Sequence, residues 1–373
     1  MKIIARHQFF LLFFIIPIFC ISQEKKLNGN VKSTREKVIF VNDSIQNYKF
    51  LTDDDYGHSG FTSPKNAINQ FSGSWYNEIQ VRYINNKRNY NKKGLLKKEF
   101  WFLKNNKKFA TYEYDYTDFD SIKKIVGNNY LKQITNFTYN YENRLESALT
   151  LNEDESDPTF IAKFYSYKKS KLIKLAFFTN EGNSINVFFT YNKMGLENKK
   201  IIHTPKIYEK TESNSYTLKE DSLGQFYTKS QKFYDLEGNL IQEESFTHPN
   251  IYNQTFLRNK LLYKYDNRGN CIEKKEIQSD SSYVSAVRKR YDLKSRKIYE
   301  SWIRLSPEQF LEYSKEYFYN DNDELTQLII NRENKTYKVN FTYKYDKQNN
   351  WIEQTKYIDG KKLFIWKREI TYY

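Results

Sequence analysis

A tyrosine followed by the same kinds of residue recurs ten times along this chain, and no other feature constrains the fold as strongly. Three copies are close to one another, at residues 234–241, 265–272 and 345–352. Weaker copies start at Tyr90, Tyr114, Tyr139, Tyr167, Tyr191, Tyr291 and Tyr319. Most starts lie about 25 to 30 residues apart, a spacing that indicates a repeat architecture.

Each repeat is predicted to be a β-hairpin. Residues before the tyrosine alternate between polar and apolar, as in 261–265 and 341–345, which is the period of a strand. The Asp or Asn that follows favours the first position of a type I turn. Glycine then suits the left-handed conformation that closes a three-residue loop with a bulge.

That left-handed position is filled in different ways along the chain. Asn is the best replacement for glycine there, Ser and Asp fit less well, and the loop after Tyr167 is one residue shorter. The residues at this position are Gly94, Asn143, Gly195, Gly238, Gly269, Ser295, Asp323 and Asn349.

The turn also predicts the register of each hairpin. In the repeat that starts at Tyr265, this tyrosine faces Cys271, and Lys264 faces Ile272. One face then carries the tyrosine, the residue two before it and the residue six after it, which are mostly aromatic or aliphatic. Cross-strand pairs of this kind stabilise a sheet.

The fold class is therefore all-β, built from about ten antiparallel β-hairpin repeats. With a terminal strand near Tyr372, these make roughly twenty strands, which would span on the order of 100 Å if laid flat. Open sheets rarely exceed about ten strands without curling, and strand twist accumulates in one sense. We expect a long curled or spiral sheet with its aromatic face inward. Closure into a tube is left open.

The first 22 residues are predicted to be a signal peptide. Lys2 and Arg6 precede an apolar run at 9–19, and small residues lead to cleavage after Ser22. The run is too short to span a bilayer, so no transmembrane span is expected after cleavage. The expected location is secreted, periplasmic or cell-surface. Acylation of Cys20 is the alternative, but Phe19 stands where a small residue is needed.

The rest of the chain divides into two parts. Residues 23–74 lack the repeat and are expected to form an irregular leader, or a cap over the first exposed edge. Residues 75–373 form the repeat domain. The long gap between Tyr191 and Tyr234 predicts an irregular hairpin or loop insertion near 204–225.

The pattern Y-D-x-x-G-N-L in the copies at Tyr234, Tyr265 and Tyr345 resembles the YD repeat of the Rhs family. The resemblance covers roughly residues 80–373. It implies a secreted or surface protein whose repeats build long curled β-sheets. Family members often end in a processing segment and a toxic enzyme domain. Here the last repeat runs to the final residue, so no toxin domain is expected.

The sequence predicts no catalytic or metal centre. His58, His203 and His248 stand alone, without a second ligand at metal-binding spacing. The acidic clusters at 53–55 and 153–157 lack the spacing of a calcium loop, and hydrolase, zinc-protease and nucleotide-binding motifs are missing. We expect no enzyme activity and no cofactor, and we expect Cys271 to be a small buried hydrophobe.

The chain is basic, with a formal net charge of +15, or +13 once Lys2 and Arg6 are removed with the signal peptide (15 − 2). The lysines are dispersed along the strands, where they also discourage edge-to-edge aggregation. Dispersed charge favours loose adhesion to anions over specific recognition of nucleic acid.

Three functions remain compatible with these features. The main prediction is a non-catalytic scaffold that binds macromolecules at the cell surface, with glycans or another surface protein as partners. The second is a carbohydrate-binding surface made by exposed aromatic side chains. The third is an outer-membrane β-barrel, against which the charges on both faces count, as at 274–276 and 367–369. The candidate ligand contacts are Trp75, Trp101, Trp302 and Trp366.

Overall fold

A computed structural model shows an all-β protein. It describes residues 27–41, 71, 84–103, 105–128, 132–153, 159–180, 184–203, 206–210, 216–220, 226–246, 257–279, 284–306, 309–332 and 334–373. The predicted signal peptide, Trp75, His58, His248 and the cluster at 53–55 lie outside these residues.

The described residues form 24 strands. In chain order they are β1 (Val31–Phe40), β2 (Asn85–Tyr90), β3 (Leu96–Phe102), β4 (Lys108–Tyr116), β5 (Ile122–Asn128), β6 (Lys132–Tyr139), β7 (Leu145–Glu153), β8 (Thr159–Lys168), β9 (Lys171–Thr179), β10 (Ser184–Tyr191), β11 (Glu197–His203), β12 (Lys206–Lys210), β13 (Tyr216–Glu220), β14 (Phe226–Tyr234), β15 (Leu240–Phe246), β16 (Leu257–Tyr265), β17 (Cys271–Gln278), β18 (Val284–Tyr291), β19 (Lys297–Ser306), β20 (Gln309–Tyr319), β21 (Leu325–Arg332), β22 (Lys335–Tyr345), β23 (Trp351–Ile358) and β24 (Lys361–Tyr372).

Twenty-two of these strands form one closed antiparallel barrel. From β2 onward each strand pairs with the next in the chain, except that β11 pairs with β14. β12 and β13 form a separate hairpin within residues 204–225. The ring is completed by β1, which pairs with β2 on one side and with β24 on the other.

Closure corrects the expectation of a spiral sheet. The hairpin repeats are present, but the sheet that they build returns to its own start, because β1 lies between its first and last strands. β1 falls in the range 23–74, where an irregular leader or a cap over the first exposed edge was expected. It has the alternation of a strand without the tyrosine and turn of a repeat. It covers the edge of β2 and the edge of β24 at once, so neither is left unpaired.

The turns have the predicted geometry. In the Tyr265 repeat the amide of Asp266 donates to the carbonyl of Asn270 (3.0 Å), and that of Gly269 donates to the carbonyl of Asp266 (3.1 Å). Gly269 has a φ of 80° and Gly238 one of 89°, in the left-handed region that suits glycine. The other repeats place Gly94, Asn143, Gly195, Ser295, Asp323 and Asn349 in the same region.

The register confirms one predicted pair and corrects the other. Tyr265 pairs with Cys271 as expected, but Lys264 pairs with Glu273 instead of Ile272, since the strand bulges between these pairs. In the other three-residue loops the same bulge lies between the pair made by the tyrosine and the pair made by the residue before it. Each bulge inserts one unpaired residue and thereby changes which residues of the second strand share the face of the tyrosine.

The repeat predicted to start at Tyr114 is displaced by two residues. Its turn runs from Thr117 to Ser121, joined by the amide of Thr117 and the carbonyl of Ser121 at 2.8 Å. Asp120 takes the left-handed position, with a φ of 61°. Tyr116 therefore occupies the place of the repeat tyrosine. The loop after Tyr167 is shorter than the others, as predicted.

We call the side of the sheet that carries the repeat tyrosines the tyrosine face, and the other side the opposite face. Nearly all buried apolar side chains of the strands lie on the tyrosine face, whereas large exposed ones lie on the opposite face, in turns or at bulges. Side chains converge on the concave side of a closed sheet, so we assign the tyrosine face to the inside of the barrel.

The largest core cluster lies on the tyrosine face of β1 and β20–β24. At its centre is Phe71, fully buried, whose ring lies 5.2 Å from that of Trp366 and 5.9 Å from that of Phe364. The buried ammonium of Lys356 donates to the backbone carbonyl of Phe71 (2.7 Å). A residue from the connection between β1 and β2 is thus packed against the last three strands.

Candidate functional surfaces

The repeat tyrosines link neighbouring hairpins through their hydroxyl groups. The hydroxyl of Tyr265 donates to the carbonyl of Leu240 (2.9 Å), the first residue of the second strand in the preceding hairpin. Tyr234 makes the same bond to Glu197 (2.6 Å). The equivalent donors are Tyr116, Tyr139, Tyr167, Tyr191, Tyr291, Tyr319 and Tyr343.

We call these bonds the inter-hairpin tyrosine bonds. Each one ties a hairpin to its neighbour at the end of the barrel where the repeat turns lie. In the last repeat Tyr343 makes the bond to the preceding hairpin, while the hydroxyl of Tyr345 bonds the carboxylate of Glu324. The hydroxyl protons of these tyrosines are therefore committed to hydrogen bonds within the barrel.

The turn carboxylates are committed in a similar way. Asp266 accepts from the amides of Arg268 and Asn270 and from the side chain of Asn270. These hydrogen bonds, the one from the Asn270 side chain first, hold the pKa of Asp266 below its usual value. An ionised Asp that is satisfied by its own loop has a structural role, and it leaves few lone pairs free for a metal ion.

The junction at which β1 pairs with β24, which we call the seam, contains buried charge. Glu36 accepts from the guanidinium of Arg368 (2.9 Å) and from the indole of Trp366 (3.1 Å). Both charged side chains are at most one-tenth exposed. Arg368 also lies over the ring of Trp351, 3.6 Å from its centroid. Burying such a pair is costly unless every group is bonded, so this constellation favours one register of closure.

The predicted tryptophan contacts are placed differently from one another. Trp101 is 3% exposed and Trp366 is 2% exposed, and both lie on the tyrosine face. Neither offers the exposed ring that a ligand contact requires. Trp302 is half-buried on that face and packs against Tyr313, with ring centroids 5.4 Å apart. The alternation of side chains along β24 could have predicted that Trp366 lies on the tyrosine face, since it lies an even number of residues before Tyr372.

The opposite face divides into two regions. Over β7–β10 it carries five large apolar side chains, which we call the apolar sector: Leu149, Leu151, Phe164, Phe178 and Phe188. Over β16–β18 and β22–β23 the same face carries charge, and we call this the charged sector: Lys264, Glu273, Arg288, Lys344 and Glu353.

The charged sector is built from cross-strand ion pairs. Glu273 lies 2.8 Å from the ammonium of Lys264 and 3.0 Å from the guanidinium of Arg288. Hydrogen bonds from both cations lower the pKa of Glu273, so this carboxylate stays ionised. Lys344 and Glu353 repeat the arrangement at 2.8 Å. The lysine side chains are 70% exposed, so their ammonium groups lie at the surface of the protein.

No group of three or more His, Cys, Asp or Glu residues is arranged to hold a metal ion within the described ranges. Cys271 is half-buried opposite Tyr265. Among the described residues no helix has the length and apolar character needed to cross a bilayer.

Neither a protein-family model nor a curated protein matches this sequence. Among solved structures, the chain is similar to TcdB2–TccC3 without its hypervariable C-terminal region, at 12% identity and a TM-score of 0.34. The match covers 72% of this chain but only 15% of that one. A porin-like protein from Bacteroides uniformis matches at 11% identity and a TM-score of 0.22, over 70% of this chain and 95% of that one.

A porin-like protein from Bacteroides vulgatus matches at 11% identity, with a TM-score of 0.19. Scores this low do not establish a common fold or function. The described surfaces therefore have to be interpreted from their own geometry.

Proposed function

We propose that the chain is a non-catalytic β-barrel held at the outer membrane. The observation that carries the proposal is closure: β1 pairs with β2 and β24 and leaves no free edge in the 22-stranded sheet. Closed, even-numbered antiparallel barrels are the β-structures that outer membranes contain, because every backbone group is bonded within the sheet. The predicted signal peptide at residues 1–22 supports export.

The charged sector limits how much of the barrel meets lipid. A Lys or Arg on the lipid face costs about 2–4 kcal/mol at the bilayer midplane. Arg288 projects from the opposite face near the middle of β18, whereas Lys264 and Lys344 project from it beside the repeat turns; all three are largely exposed. Immersion around the whole circumference would bury Arg288 at least. We therefore propose association along one side of the barrel.

The second candidate is a free scaffold that binds glycans or another protein at the cell surface. The charged sector favours it, since this surface is wet and extends over many strands. Similarity of the motifs to Rhs-family YD repeats supports the same role. Of the predicted tryptophan contacts, Trp302 and Trp75 remain in this candidate. Trp75 lies outside the described residues, and Trp302 is half-buried on the tyrosine face, so a glycan would have to reach it from the inside of the barrel.

Cell fractionation separates the two candidates. If the proposal is right, the mature protein sediments with outer membranes and is released by alkaline carbonate without detergent. A protein that needs detergent for release would be a fully immersed barrel. A protein found only in the medium or in the osmotic-shock fluid would overturn membrane association and leave the free scaffold.

A glycan array then tests the scaffold. Weak binding to acidic glycans that disappears at high salt indicates adhesion through charge, which is screened within about 8 Å at physiological ionic strength. Binding to neutral glycans that is lost in Trp302→Ala indicates stacking on this ring.

A further inference from the structure

We propose that the apolar sector is a docking surface for an anionic lipid bilayer. This inference rests on the proposed association with the outer membrane and names the part of the barrel that makes the contact. The exposed fractions are 37% for Leu149, 38% for Leu151, 49% for Phe164, 39% for Phe178 and 38% for Phe188. Five large apolar side chains on neighbouring strands thus share one face.

The register makes these side chains contiguous. Leu149 pairs with Ala162, which in turn pairs with Phe178, and Phe164 pairs with Ala176. The two alanines are buried between the larger side chains. The rings of Phe164 and Phe178 meet edge to face, with centroids 5.9 Å apart and planes at 71°. Leu149, Phe164, Phe178 and the two alanines thus form a continuous apolar surface with raised aromatic rings, and Phe188 lies at its edge, paired with Lys174.

Lysines border this surface on the side of the repeat turns. The ammonium of Lys174 lies 5.6 Å from the ring centroid of Phe188, its partner on β10. Lys199 lies on the next strand, opposite Thr190. Neither lysine forms an ion pair with a carboxylate among the described residues. At the other end of the sector, the ion pair between Lys132 and Glu153 (2.7 Å) is neutral as a whole.

This combination fits lipid better than a second protein. Side chains of these types bury about 150–250 Å² each, so the exposed fractions sum to roughly 400 Å², half of the ~800 Å² per partner in a standard protein interface. Aromatic and aliphatic groups without hydrogen-bonding atoms enter the boundary between headgroups and acyl chains. Lysines beside them attract anionic headgroups.

Vesicle flotation with the purified mature protein tests the proposal. We expect binding to phosphatidylcholine vesicles that contain phosphatidylglycerol, and weaker binding to phosphatidylcholine alone. The double variant Phe164→Ser/Phe178→Ser should weaken binding by at least about tenfold, since each ring gives up its apolar burial. Lys174→Gln should reduce the preference for the anionic vesicles.

Phe318→Ser is the matched control. Phe318 is 42% exposed and lies on the opposite face, where it pairs with Gln327 outside the apolar sector. This variant should bind vesicles like the wild type. Because all three phenylalanines are exposed, the substitutions should leave the urea unfolding midpoint nearly unchanged, and this measurement confirms that the variants are folded.

Three outcomes would overturn the proposal: absence of binding to either vesicle, equal loss in Phe318→Ser, and concentration-dependent dimers that the double variant abolishes. The last would assign the sector to a second copy of the chain. Fractionation of the same variants keeps the two proposals apart. If the wild type and the double variant both stay in the outer-membrane fraction, membrane association stands and the sector is not its contact.

Discussion

The hydroxyl of Tyr373 donates a hydrogen bond of 2.5 Å to the backbone carbonyl of Tyr90, so the end of the last strand is tied to the first repeat hairpin. This bond crosses β1, which lies between β24 and β2. The inter-hairpin tyrosine bonds differ from it, because each joins a hairpin to the one before it, as Tyr265 does with Leu240. The repeated motif thus gives a series of equivalent bonds along the barrel, and the bond of Tyr373 connects the last strand to the first repeat hairpin.

The inter-hairpin tyrosine bonds predict that removing one hydroxyl lowers the stability of the protein. Tyr265→Phe should lower the free energy of unfolding by about 0.5–1.5 kcal/mol, because the half-buried carbonyl of Leu240 loses its donor. Tyr141→Phe is the matched control, since Tyr141 is 95% exposed in a turn, and it should change stability by less than about 0.5 kcal/mol. Urea unfolding measures the change in stability of both variants, and hydrogen exchange at β15 measures the local loss in Tyr265→Phe. Equal losses of stability in Tyr265→Phe and Tyr141→Phe would count against a stabilising role for these bonds.

The turns predict opposite effects for two substitutions at equivalent positions. Gly269→Val should destabilise its hairpin by about 1 kcal/mol or more, because a β-branched side chain resists a φ of 80°. A Cβ at Gly269 meets no atom within 4 Å, so the cost comes from the backbone alone. Ser295 has a φ of 59°, and Ser295→Gly should stabilise by up to about 1 kcal/mol.

Ser295→Val is the reference for Gly269→Val. It should lower the stability of its hairpin less than Gly269→Val does, since the wild-type serine is already strained in the left-handed conformation. Local hydrogen exchange is the better probe here, because a repeat array need not unfold in two states. If Ser295→Gly destabilises its hairpin, the two turns do not share one geometry.

The seam predicts a large effect for a buried charge. Glu36→Ala should destabilise the protein by about 3–5 kcal/mol, since it leaves Arg368 buried without its carboxylate. Removing Lys93, which forms an exposed ion pair with Asp120 (2.8 Å), should cost less than about 1 kcal/mol. Exchange of the amides of β1 and β24 should rise selectively in Glu36→Ala. Unchanged amide exchange in β1 and β24 would show that closure of the barrel does not depend on this ion pair.

Acid should weaken the turns. The pKa of Asp266 is lower in the folded chain than its usual value, mainly through the side chain of Asn270, and Asp235 is lowered by Asn239 in the same way. A lowered pKa means that the stabilisation is complete above the unfolded value of about 3.9 and is lost as the pH falls through the folded value.

The test compares wild type with Asp266→Asn, which keeps the hydrogen-bond acceptor but not the charge. The wild type should be the more stable of the two at neutral pH, and the difference between their urea midpoints should shrink as the pH falls below about 4. A difference that stays constant down to about pH 2 would assign the effect of the substitution to something other than ionisation.

The parts of the fold that depend on neighbouring residues could be read from the sequence. The hairpins, the left-handed turn position and the pairing of Tyr265 with Cys271 all follow from local chemistry. The displaced repeat at Tyr116 shows where local reading fails. Tyr114 and Asp115 imitate the motif, but the chain turns two residues later.

Closure could not be predicted, because its signal is long-range. Glu36 and Arg368 resemble solvent-exposed charges when each is considered alone, and they become a buried pair only when β1 lies beside β24. The apolar sector was a missed signal of a simpler kind. Phe164 and Phe188 each lie three residues before a repeat tyrosine, where the Tyr291 repeat has Arg288.

The position of β1 also sets an order of events during folding. β1 remains unpaired on one side until β24, the last strand of the barrel, pairs with it. Contacts between residues so distant in sequence form slowly, and an unpaired edge invites association with other chains. Until the barrel closes, the free edges of β1 and β24 are therefore the places where another chain could pair with this sheet.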